Sequence, residues 1–303
     1  MNAKDIVSIA LANKTIIPAF NIPYLPMVEP VVQAIVDENS LAMVQVARLE
    51  WEKFESESLE AVAKEYFKYC KDGYTLLHLD HVPAIDEDNK MVDFLPILQR
   101  ALDTGYQSVM VDGSRLSLED NIAVTQQAAK LAAGYNAGVE AELGAVSGHE
   151  GSGIGTSYEE LFTTKKGFTK LDEAKLFAET AGCDWLSVAA GSFHGAIAAA
   201  TKHQKKPEAR LDIEHIAALS AITGNMPLVL HGGSGIKQDY ILRAIENGIA
   251  KINVGTEIRQ PFEFAREEKP GDIAYAQQKV YERTRWVIHE FLRTTDNHNL
   301  LNK

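Results

Sequence analysis

Cysteine, clustered positive charge, long apolar runs and linker-like stretches are all scarce in this chain, and each scarcity removes a class of protein. Only two cysteines, Cys70 and Cys183, occur in 303 residues. They stand far apart and follow no metal-ligand spacing, so they read as reduced thiols rather than a disulfide frame or a zinc–cysteine module. Lysine and arginine number 30 against 42 aspartates and glutamates, a formal net charge of −12. That balance argues against nucleic acid and anionic membranes as partners, because both reward clustered cations. It leaves room for an anionic metabolite, which a few backbone N–H groups and one local cation can hold. The Lys165–Lys166 and Lys205–Lys206 pairs read as solvated loop residues. No stretch approaches membrane length, and the N-terminus mixes Lys4 and Asp5 with a short apolar run, so a soluble, cytoplasmic protein is expected. No Pro- or Gly-rich linker divides the chain. A Walker lysine loop and a dinucleotide fingerprint are missing too, since the glycines between Gly148 and Gly155 match neither pattern.

What is present is 46% hydrophobic residues, arranged as eight short apolar runs at helix-sized intervals. The runs cover 16–20, 41–46, 74–79, 107–111, 139–143, 185–189, 227–230 and 249–254. Between them, 28–38, 59–69, 121–135, 171–180, 212–222 and 237–246 have helical periodicity. The 171–180 segment opens with acidic residues and stops before Gly182, a favourable charge arrangement and a C-terminal cap. Alternation of strands with helices favours a parallel sheet, because parallel strands need long crossover connections. Eight evenly spaced units predict a closed TIM (β/α)8 barrel of one domain over 1–303, with a helical C-terminal extension at 267–303. A doubly wound sheet is the architectural alternative. Residues 144–168, rich in glycine and small polar side chains, read as a long loop after the fifth strand, where a barrel would place a lid.

Nearly every run ends in polar residues: Asn21, His78/Asp80/His81, Asp112, Glu140/Glu142, His194, His231 and Asn253. Regular strand alternation puts His78 and Asp80 on one side and His81 on the other, a restriction that relaxes at a strand end. His81, His194 and His231 follow three different strands and can converge at a barrel mouth. Three imidazoles suit zinc and leave a coordination position for a substrate oxygen. His149, His203, His215 and His289 are more simply solvent-exposed or locally hydrogen-bonded. Asp112 and Glu142 can orient a ligand, bind a displaced metal, or only brace the mouth. Gly232-Gly233-Ser234 after the seventh run and Gly255-Thr256 after the eighth occupy the recurrent phosphate-binding positions of such barrels.

Taken in order, Pro18-Ala19-Phe20-Asn21, His78-Leu79-Asp80-His81, Val111-Asp112-Gly113-Ser114, Val139-Glu140-Ala141-Glu142-Leu143-Gly144, Gly191-Ser192-Phe193-His194-Gly195, Leu230-His231-Gly232-Gly233-Ser234-Gly235 and Lys251-Ile252-Asn253-Val254-Gly255-Thr256-Glu257 resemble the class II zinc-dependent fructose-bisphosphate and tagatose-bisphosphate aldolases. The resemblance implies His81, His194 and His231 as zinc ligands and Asp80 as the acid/base beside the metal. It implies Glu150 as the lid carboxylate that moves a proton at the nucleophilic carbon, and Asn253 as a contact to the enediolate portion. Gly232, Gly233, Ser234, Gly255 and Thr256, with Gly191 and Gly195 close by, fall where the family grips the substrate phosphate, often with a monovalent cation. Asn21 is retained as a substrate contact. The implied reaction converts a ketose 1-phosphate or ketose 1,6-bisphosphate reversibly into dihydroxyacetone phosphate and an aldehyde. The implied assembly is a homodimer or homotetramer, in which Tyr275, Tyr281, Trp286 and Phe291 either cover the barrel or form the interface.

The departures from the family pattern cluster away from the metal and phosphate positions. Ala47 replaces a serine near the end of the second strand and Arg48 follows it; Ile22-Pro23-Tyr24 and His149 differ, as do 51–58. Gly255 stands where some members carry aspartate, and His203-Gln204-Lys205-Lys206 lengthens the segment after His194. These changes point to an altered aldehyde side. Arg48 is either a bidentate contact to a far-end anion or a solvent salt bridge. A metal-dependent sugar-phosphate isomerase or epimerase, and a non-catalytic sugar-phosphate-binding protein, are the competing functions.

Overall fold

The computed structural model describes residues 2–144, 158–192, 209–233 and 235–301. Eight parallel strands, β1 (Ile17–Asn21), β2 (Ala42–Ala47), β3 (Thr75–Pro83), β4 (Ser108–Asp112), β5 (Gly138–Leu143), β6 (Trp185–Val188), β7 (Leu228–Leu230) and β8 (Ile249–Val254), close into a barrel in chain order. The closure is the pairing of β1 with β8, Ile17 against Lys251 through Phe20 against Val254. Helix α1 (Ala3–Ala12) precedes the barrel; α2 (Val28–Asp37), α3 (Arg48–Lys53), α4 (Leu59–Tyr69), α5 (Phe94–Thr104) and α6 (Leu118–Ala133) follow the first four strands. Then come α7 (Tyr158–Thr164), α8 (Leu171–Thr180), α9 (Ile213–Ile222) and α10 (Gln238–Glu246), and after β8 the helices α11 (Thr256–Glu268), α12 (Ile273–Trp286) and α13 (Asn297–Leu301).

The strands read as nearly continuous apolar runs because parallel strands of a barrel are buried on both faces. Outward-facing Phe20, Val44, Leu77, Val109, Val139 and Leu186 pack against the amphipathic faces of the helices in one apolar layer. Helix starts are fixed by polar caps: Ser58 accepts the Ala61 N–H, Ser117 that of Asp120 and Asp212 that of His215. A second apolar cluster sits inside the barrel and below it. Ile6, Val7 and Ala10 of α1 pack with Ile17, Met43, Leu76, Trp185 and Val229. Helix α1 therefore stoppers the N-terminal end, and the indole of Trp185 fills the bore. Gly138 makes that possible, since a Cβ there would lie 2.3 Å from the Trp185 ring.

Expectation and structure agree on all eight strands to within a residue or two, except that β3 runs on to Pro83. Three readings need correction. The segment at 144–168 is not loop throughout: Tyr158–Thr164 is helical, with acidic Glu159 and Glu160 in its first turn. The helix expected at 121–135 begins at Leu118, because Ser117 caps it. The C-terminal extension does not start at 267, which lies inside α11; the helical continuation starts at Thr256, directly on β8.

Candidate active site

The rim depends first on an irregularity in β3. Pairing with β4 runs His78 to Ser108 and Leu79 to Val109, then resumes at Val82 to Val111, so three residues of β3 span two of β4. The extra residue is a β-bulge, and His81 adopts a φ of +29°, unusual for a side-chain-bearing residue. The bulge breaks the strict alternation that would send Asp80 and His81 to opposite faces. Both reach the same mouth.

Asp80 is buried and held by three amides. Its Oδ1 accepts from Asn253 Nδ2 at 2.9 Å; its Oδ2 accepts from Asn21 Nδ2 at 2.8 Å and from Gln45 Nε2 at 3.1 Å. Burial alone would raise its pKa, but the nearby imidazoles of His81 and His231 and the ammonium of Lys251 outweigh it and hold the carboxyl below its usual range. Asp80 is thus an ionised base with fixed orientation.

His81 and His231 face each other across the mouth, rings edge to face with centroids 4.6 Å apart. Asp112 Oδ2 lies 3.2 Å from His81 Nδ1, and Asp112 is itself braced by Ser114, whose N–H and hydroxyl both donate to Oδ1. His231 Nε2 lies 2.7 Å from Glu140 Oε1, and its Nδ1 3.1 Å from Glu142 Oε2. Burial would lower the His81 imidazole, yet Asp80, the Asp112 hydrogen bond and Glu142 push it up to about 10. Burial and His81 oppose charge on His231, but Glu140 and Glu142 prevail and its pKa is raised.

Such a site suits a cation. Ligand atoms of Asp80, His81 and His231 lie within 4.8 Å of one another, as do those of His81, Asp112 and Glu142. The two carboxylate-oriented imidazoles are two of the three donors, with the brace, that a catalytic zinc centre needs. His194, the third expected ligand, lies outside the described residues, as do Glu150, His149, Gly195 and Ser234.

Beneath the rim is a polar layer to which sequence reasoning assigned no role. Lys251, fully buried, donates to Glu140 Oε2 at 2.9 Å and to Asn253 Oδ1 at 2.6 Å. Trp185 Nε1 donates to the same Glu140 oxygen at 2.6 Å. His78 packs here, its Nδ1 2.8 Å from Ser108 Oγ, and burial followed by Lys251 lowers it to about 3, so it is a neutral interior group. Gln45 and Lys251 had a signal: each interrupts an apolar run two residues from a rim position. Glu50 had none, standing among the many charges that follow β2.

Gly232 and Gly233 follow β7, with Gly232 at φ +72° and Gly233 against Ile252, where a Cβ would sit 2.8 Å from that side chain. Gly255 and Thr256 form the junction of β8 with the 13-residue helix α11, whose N-terminus therefore follows directly on the strand end. Gly191, at φ +107°, ends the β6 side and its carbonyl accepts from Tyr158. Arg48 opens α3, and its guanidinium is 2.8 Å from Glu52.

A closed (β/α)8 barrel with an ionised aspartate, paired imidazoles and two glycine-bearing loops on its C-terminal rim belongs to the class of TIM-barrel proteins with a candidate metal-assisted site. More narrowly, the chain belongs to the class-II fructose-bisphosphate aldolase family, whose model matches residues 1–297. It is 36% identical over 186 residues to a fructose-bisphosphate aldolase of Streptococcus pyogenes serotype M1, covering 60% of this chain and 58% of that protein. Identity is 40% over 189 residues to a 6-phospho-5-dehydro-2-deoxy-D-gluconate aldolase of Halalkalibacterium halodurans, 62% of this chain and 56% of that one. The chain thus spans less than two thirds of these relatives' lengths. Among solved structures, the YdjI aldolase of Escherichia coli K12 superposes with a TM-score of 0.75 at 25% identity over 97% of both chains. The fructose-bisphosphate aldolase of Campylobacter jejuni shares the fold, with a TM-score of 0.74 at 19% identity over 98% of this chain and 97% of that one.

Proposed function

We propose that the protein is a zinc-dependent aldolase, a carbon–carbon lyase that reversibly cleaves a ketose 1-phosphate or ketose 1,6-bisphosphate into dihydroxyacetone phosphate and an aldehyde. The observation that carries this reading is Asp80: a buried, ionised carboxylate, locked by three amides, beside two carboxylate-braced imidazoles. Zinc held by His81, His194 and His231 would supply Lewis-acid polarisation of the ketose carbonyl. Asp80 takes the proton of the C4 hydroxyl as the C3–C4 bond breaks. Asn253 gives its amide to the three-carbon fragment, and Glu150 returns a proton to that fragment's nucleophilic carbon. Gly191, Gly195, Gly232, Gly233, Ser234, Gly255 and Thr256 hold the phosphate, with a monovalent cation beside it, and Asn21 contacts the substrate next to Asp80. Asp112 and Glu142 orient the histidines or accept a displaced ion. Arg48 is the candidate contact for a far-end anion, which requires it to release Glu52. The chain acts as one domain, assembled as a homodimer or homotetramer in the cytoplasm.

The test is to incubate the zinc-supplemented protein with C4-epimeric ketose 1-phosphates and 1,6-bisphosphates and detect products by mass spectrometry. Dihydroxyacetone phosphate with a matched aldehyde is expected, lost on chelation and reduced at least about 10³-fold in Asp80→Ala, the scale of losing a positioned general base. Isomerised but uncleaved ketoses would replace this reading with an isomerase or epimerase.

A further inference from the structure

One rim carboxylate has no part in the reaction described so far. Glu50 lies on α3, one turn past the end of β2, where its Oε2 accepts the Ala47 N–H at 2.8 Å. The same oxygen is 3.4 Å from Asn21 Nδ2, the nitrogen that also donates to Asp80 Oδ2. Asn21 is therefore shared between two carboxylates. Oε1 of Glu50 has no hydrogen-bond partner among the described residues, and the side chain is only partly covered. A helix cap accounts for one oxygen and leaves the other, beside the Asn21 that holds Asp80, without an assigned role.

Position decides which part of a substrate this oxygen would meet. Asp80 presents two edges: Oδ1 towards Asn253, and Oδ2 towards Asn21, Gln45 and, through Asn21, Glu50. A ketose held by its phosphate at the β7 and β8 loops, with its C4 hydroxyl on Asp80, has its remaining carbons on the Oδ2 edge. Among the described residues, the two arginines on this side are already paired with carboxylates, which disfavours a second phosphate there. Arg48 is held by Glu52 at 2.8 Å and Arg259 by Glu263 at 2.7 Å. Burial, with Asp80 adding to it, pushes the Glu50 carboxyl up to about 8. In that state it offers one donor and an acceptor, the pairing a hydroxyl needs; in either state it offers no positive charge.

We propose, on the basis of the aldolase reading above, that Glu50 binds a hydroxyl of the aldehyde-derived half of the substrate and makes the site select ketose 1-phosphates over 1,6-bisphosphates. Glu50 is thus a specificity-determining residue, taking up the polar position beside Asn21 that Ala47 leaves empty.

The experiment has two layers. Exchange of the C3 protons of dihydroxyacetone phosphate in D₂O, followed by NMR on the zinc-supplemented wild type, needs no aldehyde and tests the aldolase reading by itself. Its absence overturns that reading and this one with it. Given exchange, kcat/KM for condensation is compared between glyceraldehyde and glyceraldehyde 3-phosphate. The wild type is expected to favour glyceraldehyde by about tenfold or more, the scale of one buried hydrogen bond, and Glu50→Ala to lose most of that preference. A folding defect scales both aldehydes alike, so the ratio is informative at reduced activity. Glu50→Leu fills the same space with no hydrogen-bonding group and serves should the alanine variant not fold; it too is expected to lower the ratio, whereas Glu50→Gln, which keeps a donor and an acceptor, is expected to preserve it. A wild-type preference for the phosphorylated aldehyde, removed in Arg48→Met, would overturn the proposal in favour of an arginine-bound far phosphate. An identical ratio in wild type, Glu50→Ala and Glu50→Leu would overturn it as well.

Discussion

Lys251 sets the orientation of Asn253, and its chemistry leaves no choice. An ammonium has donors only, so the atom of Asn253 at 2.6 Å from it must be the carbonyl oxygen, which turns Nδ2 onto Asp80. The same ammonium neutralises Glu140, whose carboxyl burial would raise but which Lys251 and His231 hold well below its ordinary range. Replacing Lys251 by methionine strands a buried carboxylate, a defect of about 3–5 kcal/mol. Urea unfolding is expected to show that loss in Lys251→Met and to recover most of it in Lys251→Met/Glu140→Gln. If the double variant is no more stable than the single, the charge pairing is not what Lys251 contributes.

At the level of the element, most of the barrel was legible because a buried parallel strand and an amphipathic helix leave different periodicities. His81 and His231 were legible for the same reason, as polar residues closing apolar runs. The bulge in β3 was not: His78-Leu79-Asp80-His81-Val82 contains no glycine or proline to mark it, and only the pairing with β4 reveals the extra residue. Helix α3 was missed because a six-residue helix is too short for periodicity to show, and it is what carries Glu50 to the mouth. Helix α1 went unassigned although its role is structural, closing the floor opposite the site. Ile6→Ala on its buried face is expected to cost about 2–4 kcal/mol by urea denaturation, the range for emptying a core aliphatic site, with KM for the ketose unchanged. A shifted KM would mean that the floor and the rim are coupled.

For the molecule as a whole, the crowding of charge at one end of the barrel makes stability depend on pH. In the metal-free protein His81 titrates at about 10 against an ordinary 6.5. Its contribution is fully present below about 6.5 and is lost as pH rises through about 10. The urea midpoint of the metal-free protein is therefore expected to fall over that interval, and zinc binding, which must displace the same proton, to tighten. A midpoint independent of pH across the interval would rule this out. One interior contact has a further consequence. The Trp185 indole rests on one oxygen of Glu140 while His231 Nε2 rests on the other, whereas Trp51 and Trp286 lie nearer solvent. A cation arriving at the imidazole redistributes charge on a carboxylate that the indole touches. The barrel is thus built with an internal optical gauge, and Trp185 emission is expected to change colour when a divalent cation is added to the metal-free protein; an unchanged spectrum would show indole and rim uncoupled.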